Sequence, residues 1–106
     1  MTPEAFKLIQ ATLPDSPGIY KHIDDQDRIL YIGKARSLKK RVSSYFQKEH
    51  DSARLRMMVR RVAKIEVTVV ETEQEALLLE NSLIKEYQPK YNVLLKDDKS
   101  YPFIYL

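Results

Sequence analysis

Two triplets of matching residue types, Gly18-Ile19-Tyr20 and Tyr31-Ile32-Gly33, flank a polar, partly acidic stretch. Two β-prone runs separated in this way predict a hairpin whose loop is longer than two residues. Folding the hairpin places Tyr20 near Tyr31, with a glycine beside each phenol. Two phenols next to backbone that a ligand can approach closely can form a reactive site. They can equally form an aromatic cross-strand pair, and the hairpin alone leaves both interpretations open.

A carboxylate in the second half of the chain suggests a cation. Glu80 lies within the apolar arc of a predicted helix. A buried carboxylate must be paired, protonated or bound to a cation. One protein carboxylate with mostly water ligands suits Mg²⁺, whereas an internal ion pair with an arginine such as Arg41 is the structural alternative. The apolar arc that surrounds Glu80 consists of Ala76, Leu77, Leu79, Leu83, Ile84 and Tyr87.

Three further polar residues are predicted to lie near these groups. Arg41 borders the apolar side of its helix and leans inward, whereas Lys39 and Lys40 point to solvent. Lys34 is predicted in a turn just after the second triplet, close to the tyrosines. Asn92 follows the Glu80 helix and can return beside it.

These residues together supply the parts that phosphodiester hydrolysis needs: an activated water, a cation on the phosphate, and positive charge for the developing dianion. The two histidines are not expected to act as the base, because His22 and His50 lie in polar stretches and are predicted to be solvated. A tyrosine, with a reference pKa of about 10, can act as the base only if nearby cations lower that pKa. Lys34, Arg41 and a metal would do so.

The positive charge is concentrated in residues 34–64. They hold eleven Lys or Arg and two acids, a net of +9, whereas the rest of the chain carries a net of −6 and the whole chain +3. Such segregation predicts a surface that binds the phosphates of a polyanion. The residues predicted to make these contacts are Lys34, Arg36, Lys39, Lys40, Arg54, Arg56, Arg60 and Arg61.

The predicted elements give an α+β class with a mostly antiparallel sheet. Capping residues begin the helices: Thr2 before a short N-terminal helix, Ser37 before the Arg41 helix, and Thr72 with Glu75 as a capping box before the longest helix. Pro89 ends that longest helix at about residue 87. The other predicted elements are a basic helix over residues 53–62 and a third strand over residues 65–71.

Composition excludes several classes of protein. The chain of 106 residues has no cysteine, so disulfides and thiolate metal sites are excluded. Its apolar runs are too short to cross a bilayer, and nothing suggests secretion, so we expect a cytoplasmic location and no membrane contact. The polar stretch 96–100 and the apolar, strand-like residues 101–106 end the chain without a polar closing segment. We therefore expect residues 1–106 to be one domain of a larger protein.

The motifs resemble those of the GIY-YIG nuclease family, and most closely its branch that acts in nucleotide excision repair. The resemblance covers nearly the whole chain and includes segments 88–93 and 96–102 as well as the two triplets. The separate residues that also match are Lys34, Arg41, Tyr45, Glu80 and Asn92.

The resemblance implies a small central antiparallel three-stranded sheet flanked by helices, and metal-dependent cleavage of one DNA strand. In the repair branch the cut lies on the 3′ side of a lesion in damaged duplex DNA and requires the partner UvrB, contacted through the remainder of the longer protein. The cofactor would be one Mg²⁺ or Mn²⁺ ion. The isolated domain is expected to be monomeric and weak or silent alone.

The resemblance also implies a role for each site residue. Glu80 would bind the metal, and Arg41 and Lys34 would stabilise the phosphate. Tyr31 would be the general base, with Tyr20 hydrogen-bonded to it or sharing its role. The residues that would hold the site together are Tyr45 and Asn92. The alternative is a DNA-binding module without catalysis that uses the basic face of residues 34–64.

Overall fold

The computed structural model, which describes residues 1–47, 50 and 52–96, contains one antiparallel sheet of three strands in the order β2-β1-β3. The strands are β1 (Gly18–Ile23), β2 (Ile29–Ala35) and β3 (Lys64–Val69). The helices are α1 (Pro3–Gln10), α2 (Leu38–Gln47), α3 (Ala53–Arg61), α4 (Glu73–Tyr87) and α5 (Lys90–Lys96). The predicted α+β class and three-stranded sheet are confirmed.

Side-chain caps begin the helices as the sequence predicts. The hydroxyl of Thr2 accepts from the Ala5 N–H at 3.1 Å, and that of Thr72 accepts from the Glu75 N–H at 3.1 Å. At its other end α4 stops at Gln88, which adopts the left-handed conformation with φ of 44°. The proline that follows cannot continue the helix. Local sequence therefore fixes both ends of α4, which carries Glu80.

The register of the hairpin places its aromatic residues on one face of the sheet. Tyr20 pairs with Gly33, and His22 pairs with Tyr31. Because side chains alternate between the faces of a strand, these four residues share one face. The pairing is regular from Gly18 to His22 and shifts before Ile23. The two triplets thus lie side by side, as the sequence predicts.

This face of the sheet packs into a core formed with residues of α1, α2, α3 and α5. Tyr20 and Tyr31 belong to the main core, together with Phe6 of α1 and Phe46 of α2, whose rings stack at 4.6 Å. Other core residues from α2 and α3 are Leu38, Val42, Tyr45, Leu55 and Met58. The phenols are therefore part of the hydrophobic core, not a surface feature.

The opposite face of the sheet carries Ile19 and Ile32, both fully buried, and α4 packs against β1 and β2. The broad apolar arc predicted for α4 is wrong in extent, because Ala76 is the buried residue of this helix and Leu77 and Tyr87 are 43% and 49% exposed. Two strands offer a narrow surface, so a helix lying on them buries a narrow strip.

Three other predictions differ from the structure. Lys34 lies within β2, not in a turn, because the pairing continues through Ile19–Lys34 to Gly18–Ala35. The third strand begins at Lys64 and ends at Val69. Helix α5 has no counterpart in the sequence prediction. Of the predicted segments 96–100 and 101–106, residues 97–106 lie outside the described residues, as do residues 48, 49 and 51.

Within residues 1–47, 50 and 52–96, none of the helices is both long enough and apolar enough to cross a bilayer.

Candidate active site

Three buried phenols meet where α2 packs on the hairpin. The hydroxyls of Tyr20 and Tyr45 are 2.7 Å apart and share a hydrogen bond. The ring centroid of Tyr31 lies 6.2 Å from that of Tyr20 and 6.5 Å from that of Tyr45. The structure thus confirms that Tyr20 and Tyr31 are close. It adds Tyr45, which strand pairing alone did not place there.

The glycines of both triplets are required by space. A Cβ atom at Gly33 would overlap the Cζ atom and hydroxyl of Tyr20, because the phenol lies directly over the Gly33 backbone. A Cβ atom at Gly18 would overlap the carbonyl oxygen of Thr68 in β3. The triplets therefore need glycine because the Tyr20 ring packs on Gly33 and β3 packs on Gly18.

Arg41 links the phenols to positive charge. Its Nε donates to the Tyr20 hydroxyl at 3.3 Å, and its guanidinium carbon lies 5.3 Å from the centre of the Tyr45 ring. The pKa of Arg41 is raised above its ordinary value, chiefly by charge interaction with Tyr20. A guanidinium that touches a phenol also favours the phenolate form. The prediction that Arg41 leans inward while Lys39 and Lys40 are exposed is confirmed.

Glu80 reaches the open edge of the sheet from α4. Its half-buried carboxylate accepts a hydrogen bond from the backbone N–H of Lys34. Burial raises the pKa of Glu80, and the charge of Lys34, the hydrogen bond and the charge of Arg41 oppose that rise. The carboxylate is thus only partly compensated by the protein, an environment that favours binding of a cation.

Two observations bear on whether Glu80 binds a cation or forms an internal ion pair. Among the ion pairs of the described residues, none joins Glu80 to Arg41. Nor does any group of three or more His, Cys, Asp or Glu in residues 1–47, 50 and 52–96 have the geometry to hold a metal. One carboxylate therefore fits a hard cation such as Mg²⁺, which keeps most of its water ligands or takes oxygens from a phosphate.

Asn92 pairs with the same edge of β2. Its Oδ1 accepts from the Ile32 N–H and its Nδ2 donates to the Ile32 carbonyl, both at 2.9 Å. Because Ile32 and Lys34 are two residues apart, their N–H groups point to the same side of the strand. Asn92 and Glu80 thus accept hydrogen bonds from successive outward-facing backbone N–H groups of β2. Helix α5, which the sequence did not predict, is what returns Asn92 to the site.

The prediction that His22 is solvated is wrong. The side chain is fully buried, because it alternates onto the same face as Tyr20. Its ring lies 5.2 Å from the Tyr20 ring and 4.7 Å from the Tyr45 ring. Neither ring nitrogen has a hydrogen-bond partner in the described part of the chain. Burial, followed by the charge of Arg41, lowers the pKa of His22 to about 3, so the imidazole is neutral.

His50 was also predicted to be solvated, and it is instead half-buried. Its Nε2 lies 3.2 Å from the carbonyl oxygen of Tyr45. Strand alternation with Tyr20 was the sequence signal that could have revealed the burial of His22. The burial of His50 comes with its contact to Tyr45 at the end of α2, for which the sequence has no comparable signal.

The buried His22 predicts a specific pH dependence of stability. Above about pH 6.5 the imidazole is neutral in both states, so the folded state carries no penalty. Below that pH His22 is protonated in the unfolded chain but stays neutral in the folded chain. The free energy of unfolding therefore falls by up to about 1.4 kcal/mol per pH unit. We expect His22→Phe to remove this term. The difference in unfolding free energy between variant and wild type should grow by about 2 kcal/mol between pH 6.5 and 5 in urea titrations. A difference independent of pH would contradict this assignment.

The basic residues predicted to contact phosphates have different surroundings in the structure. In α3, Arg54 donates to the Leu94 carbonyl at 2.8 Å and Arg56 donates to the His50 carbonyl at 2.5 Å, so both also hold the fold. Arg36 forms an ion pair with Glu73 at 3.1 Å. Lys34 is exposed beside Glu80.

The remaining four basic residues line two separate cavities. Lys39 and Lys40 line one of about 330 Å³ between α1 and α2. Arg60 and Arg61 line another of about 320 Å³, together with Asp24 and Asp25 of the hairpin. The contact of these residues with DNA stays a prediction.

Comparison with known proteins agrees with this geometry. The family model described as "UvrC-like GIY-YIG domain" matches residues 16–93. The chain is 55% identical over 104 residues to UvrABC system protein C of Porphyromonas gingivalis, covering 98% of this chain and 17% of that protein. It is 60% identical over 100 residues to UvrABC system protein C of Methylobacillus flagellatus, covering 94% and 17% respectively. The chain thus spans about a sixth of the length of these relatives.

Solved structures match as well. The GIY-YIG N-terminal endonuclease domain of UvrC from Thermotoga maritima, bound to its catalytic divalent cation magnesium, superimposes with a TM-score of 0.73 at 34% identity. The match covers 84% of this chain and 97% of that one. A point mutant of that domain with phenylalanine in place of a tyrosine, also bound to the catalytic cation, gives a TM-score of 0.74 at 34% identity over 87% and 98%. With the family model matching well over half of its length, this chain belongs to the UvrC-like GIY-YIG domain family.

Proposed function

We propose that this chain is a divalent-metal-dependent DNA endonuclease domain that makes the 3′ incision in nucleotide excision repair. One observation carries the proposal: the partly compensated carboxylate of Glu80 lies at the strand edge beside Lys34, under the influence of the Arg41 that contacts the buried phenols. A purely structural core would have no use for an acid in that position. The magnesium-bound solved relatives support the same activity.

The chain's own residues can perform the proton and charge transfers of the reaction. Tyr31 is the proposed general base, accepting the proton of the attacking water. Arg41 favours the phenolate form at the cluster, and Arg41 and Lys34 stabilise negative charge on the phosphate in the transition state. Tyr20 and Tyr45, joined through their hydroxyls, keep the rings in place and fix Arg41.

Glu80 is the residue proposed to hold the metal. A divalent cation bound there supplies a Lewis acid for the phosphate oxygens and stabilises the leaving oxygen. Its ligand set, with one carboxylate among the described residues, suits Mg²⁺ or Mn²⁺. Asn92 fixes the β2 edge beside Glu80 through its two bonds to Ile32.

The wider setting is part of the proposal. Because the chain spans 17% of the length of its curated relatives, residues 1–106 are proposed to be one domain of a longer protein. The name UvrABC system protein C of those relatives supports damaged duplex DNA as the substrate and UvrB as a partner bound through the remainder of that protein. A cytoplasmic location and a monomeric isolated domain complete this proposal.

A metal-binding measurement combined with an incision assay tests the proposal. We expect the 106-residue chain to bind one Mn²⁺ per molecule in a calorimetric titration, and Mg²⁺ to compete for it. In a reconstituted repair assay with the longer protein, 3′ incision should require Mg²⁺ or Mn²⁺ and stop in EDTA. DNA binding without metal binding or incision would instead support the alternative, a DNA-binding module that lacks catalysis.

A further inference from the structure

A small polar cavity adjoins the proposed metal site. It has a volume of about 150 Å³ and lies where the end of β2 passes the first two turns of α4. Lys34, whose backbone N–H bonds Glu80, belongs to its wall, so the cavity lies next to the site. The residues that line it are Lys34, Ala35, Arg36, Glu73 and Ala76.

Near this cavity, two acidic residues of α4 lie close to two basic residues, one near the end of β2 and one just after that strand. Glu73 precedes Glu80 by seven residues, nearly two full turns, so both side chains leave the same side of α4 about 10.5 Å apart. Arg36 follows Lys34 by two residues. Glu80 bonds the Lys34 backbone, and Glu73 Oε2 lies 3.1 Å from Arg36 Nε. Glu80 thus contacts the backbone near the end of β2, and Glu73 contacts the side chain of the residue just after that strand.

Stability does not account for the pair of Glu73 and Arg36. Their side chains are 63% and 85% exposed, and ion pairs of that kind contribute roughly 0–1 kcal/mol or nothing measurable. The pair uses the Nε side of the guanidinium. The two terminal nitrogens of Arg36 donate no hydrogen bond to any residue that the structure describes, and its one ion pair there is with Glu73. Such a fork matches the two oxygens of a phosphodiester.

We propose that Arg36, oriented by Glu73, binds the DNA backbone phosphate adjacent to the scissile phosphate. This inference rests on the proposed nuclease function and adds a substrate subsite to it. Glu73 is a positioning residue: it holds the guanidinium fork beside the cavity and does not touch the reacting atoms. Its negative charge opposes DNA binding in general, so its benefit must come from placing the strand.

Because the negative charge of Glu73 opposes DNA binding, its removal should affect KM and kcat differently. Glu73→Gln removes a negative charge near the DNA, so the KM for damaged duplex should stay equal or fall. It also releases Arg36, so kcat for 3′ incision should fall by about tenfold, the effect of losing one oriented charge-assisted contact. Glu75→Gln is the matched control, because it makes the same charge change two residues away and keeps the backbone N–H that bonds the Thr72 hydroxyl. It should leave kcat unchanged.

Arg36 provides a readout that does not depend on cleavage. In EDTA, the salt dependence of affinity for a duplex bearing one bulky lesion should be shallower for Arg36→Ala, by about 0.9 in the slope of log K against log salt, as for one lost phosphate contact. Arg36→Lys should keep the slope but lose kcat about as far as Glu73→Gln does, because it keeps the charge without the fork.

Two results would overturn this subsite. One is Glu73→Gln behaving like Glu75→Gln in both kcat and KM. The other is an unchanged salt slope for Arg36→Ala. If the wild-type protein makes no incision but Arg36→Ala still gives a shallower salt slope, the phosphate contact is supported and the nuclease assignment is contradicted. Failure of the function and failure of the subsite are therefore distinguishable.

Discussion

Replacing Glu80 by glutamine should lower 3′ incision by about 10³-fold or more, because the Lewis acid that Glu80 is proposed to hold contributes several kcal/mol to the transition state. Glutamine keeps the size of the side chain and still offers an oxygen to the Lys34 N–H. Burial already disfavours the charged form of Glu80, so the thermal melting temperature should stay equal or rise. Incision in the reconstituted assay and melting of the 106-residue chain measure the two effects.

Metal binding separates this explanation from an effect of charge alone. Glu80→Gln should lose the calorimetric Mn²⁺ signal, whereas Glu86→Gln, an exposed site on the same helix, should keep both the signal and incision. An incision rate near that of wild type in Glu80→Gln, or equal incision in EDTA, would contradict the metal-ligand assignment. The same result would return Glu80 to the structural interpretation.

The parts of the fold that follow local rules were predictable from the sequence. Helix starts at Thr2 and Thr72 and the stop before Pro89 depend on residues within one turn. The closeness of Tyr20 and Tyr31 follows from two short strands folded around one loop. These rules were enough to bring the triplets together, and thus to place half of the site.

The parts that depend on distant contacts were not predictable in the same way. The extent to which the apolar arc of α4 is buried depends on the width of the sheet surface beneath the helix. That width is set by residues elsewhere in the chain. The bonds of Asn92 to Ile32 span sixty residues of sequence. The position of α5, which makes them, has no local signal of its own.

Charge was the least predictable property in space. The basic block of residues 34–64 is clear in the sequence, yet its arginines are divided among cavities, backbone carbonyls and Glu73. A helix turns a basic residue by about 100° per position, so sequence neighbours face different sides. Hence composition predicts attraction to a polyanion, whereas only the structure shows which basic residue lies next to Glu80.

Tyr31→Phe should lower 3′ incision by about 10²-fold or more, as expected when general base catalysis is lost. The change removes one oxygen and keeps the ring, so the packing of Tyr31 beside Tyr20 and Tyr45 should survive. Tyr87→Phe is the matched control, since that phenol is 49% exposed on α4 and serves no part of the proposed site. Incision rates at saturating Mg²⁺, with thermal melts of each variant, are the measurements.

Tyr20→Phe makes the comparison decisive, because its hydroxyl has different partners. It bonds the Tyr45 hydroxyl at 2.7 Å and accepts from Arg41 at 3.3 Å, so its loss should destabilise the fold by about 1 kcal/mol as well as impair incision. Because Tyr31 is the proposed base and Tyr20 contacts Arg41, Tyr31→Phe should show the larger loss of rate. An aromatic pair that serves packing alone needs neither hydroxyl, and then both variants would cut like wild type. A folded Tyr31→Phe protein with full incision would end the case for Tyr31 as the base and leave the proton to another acceptor.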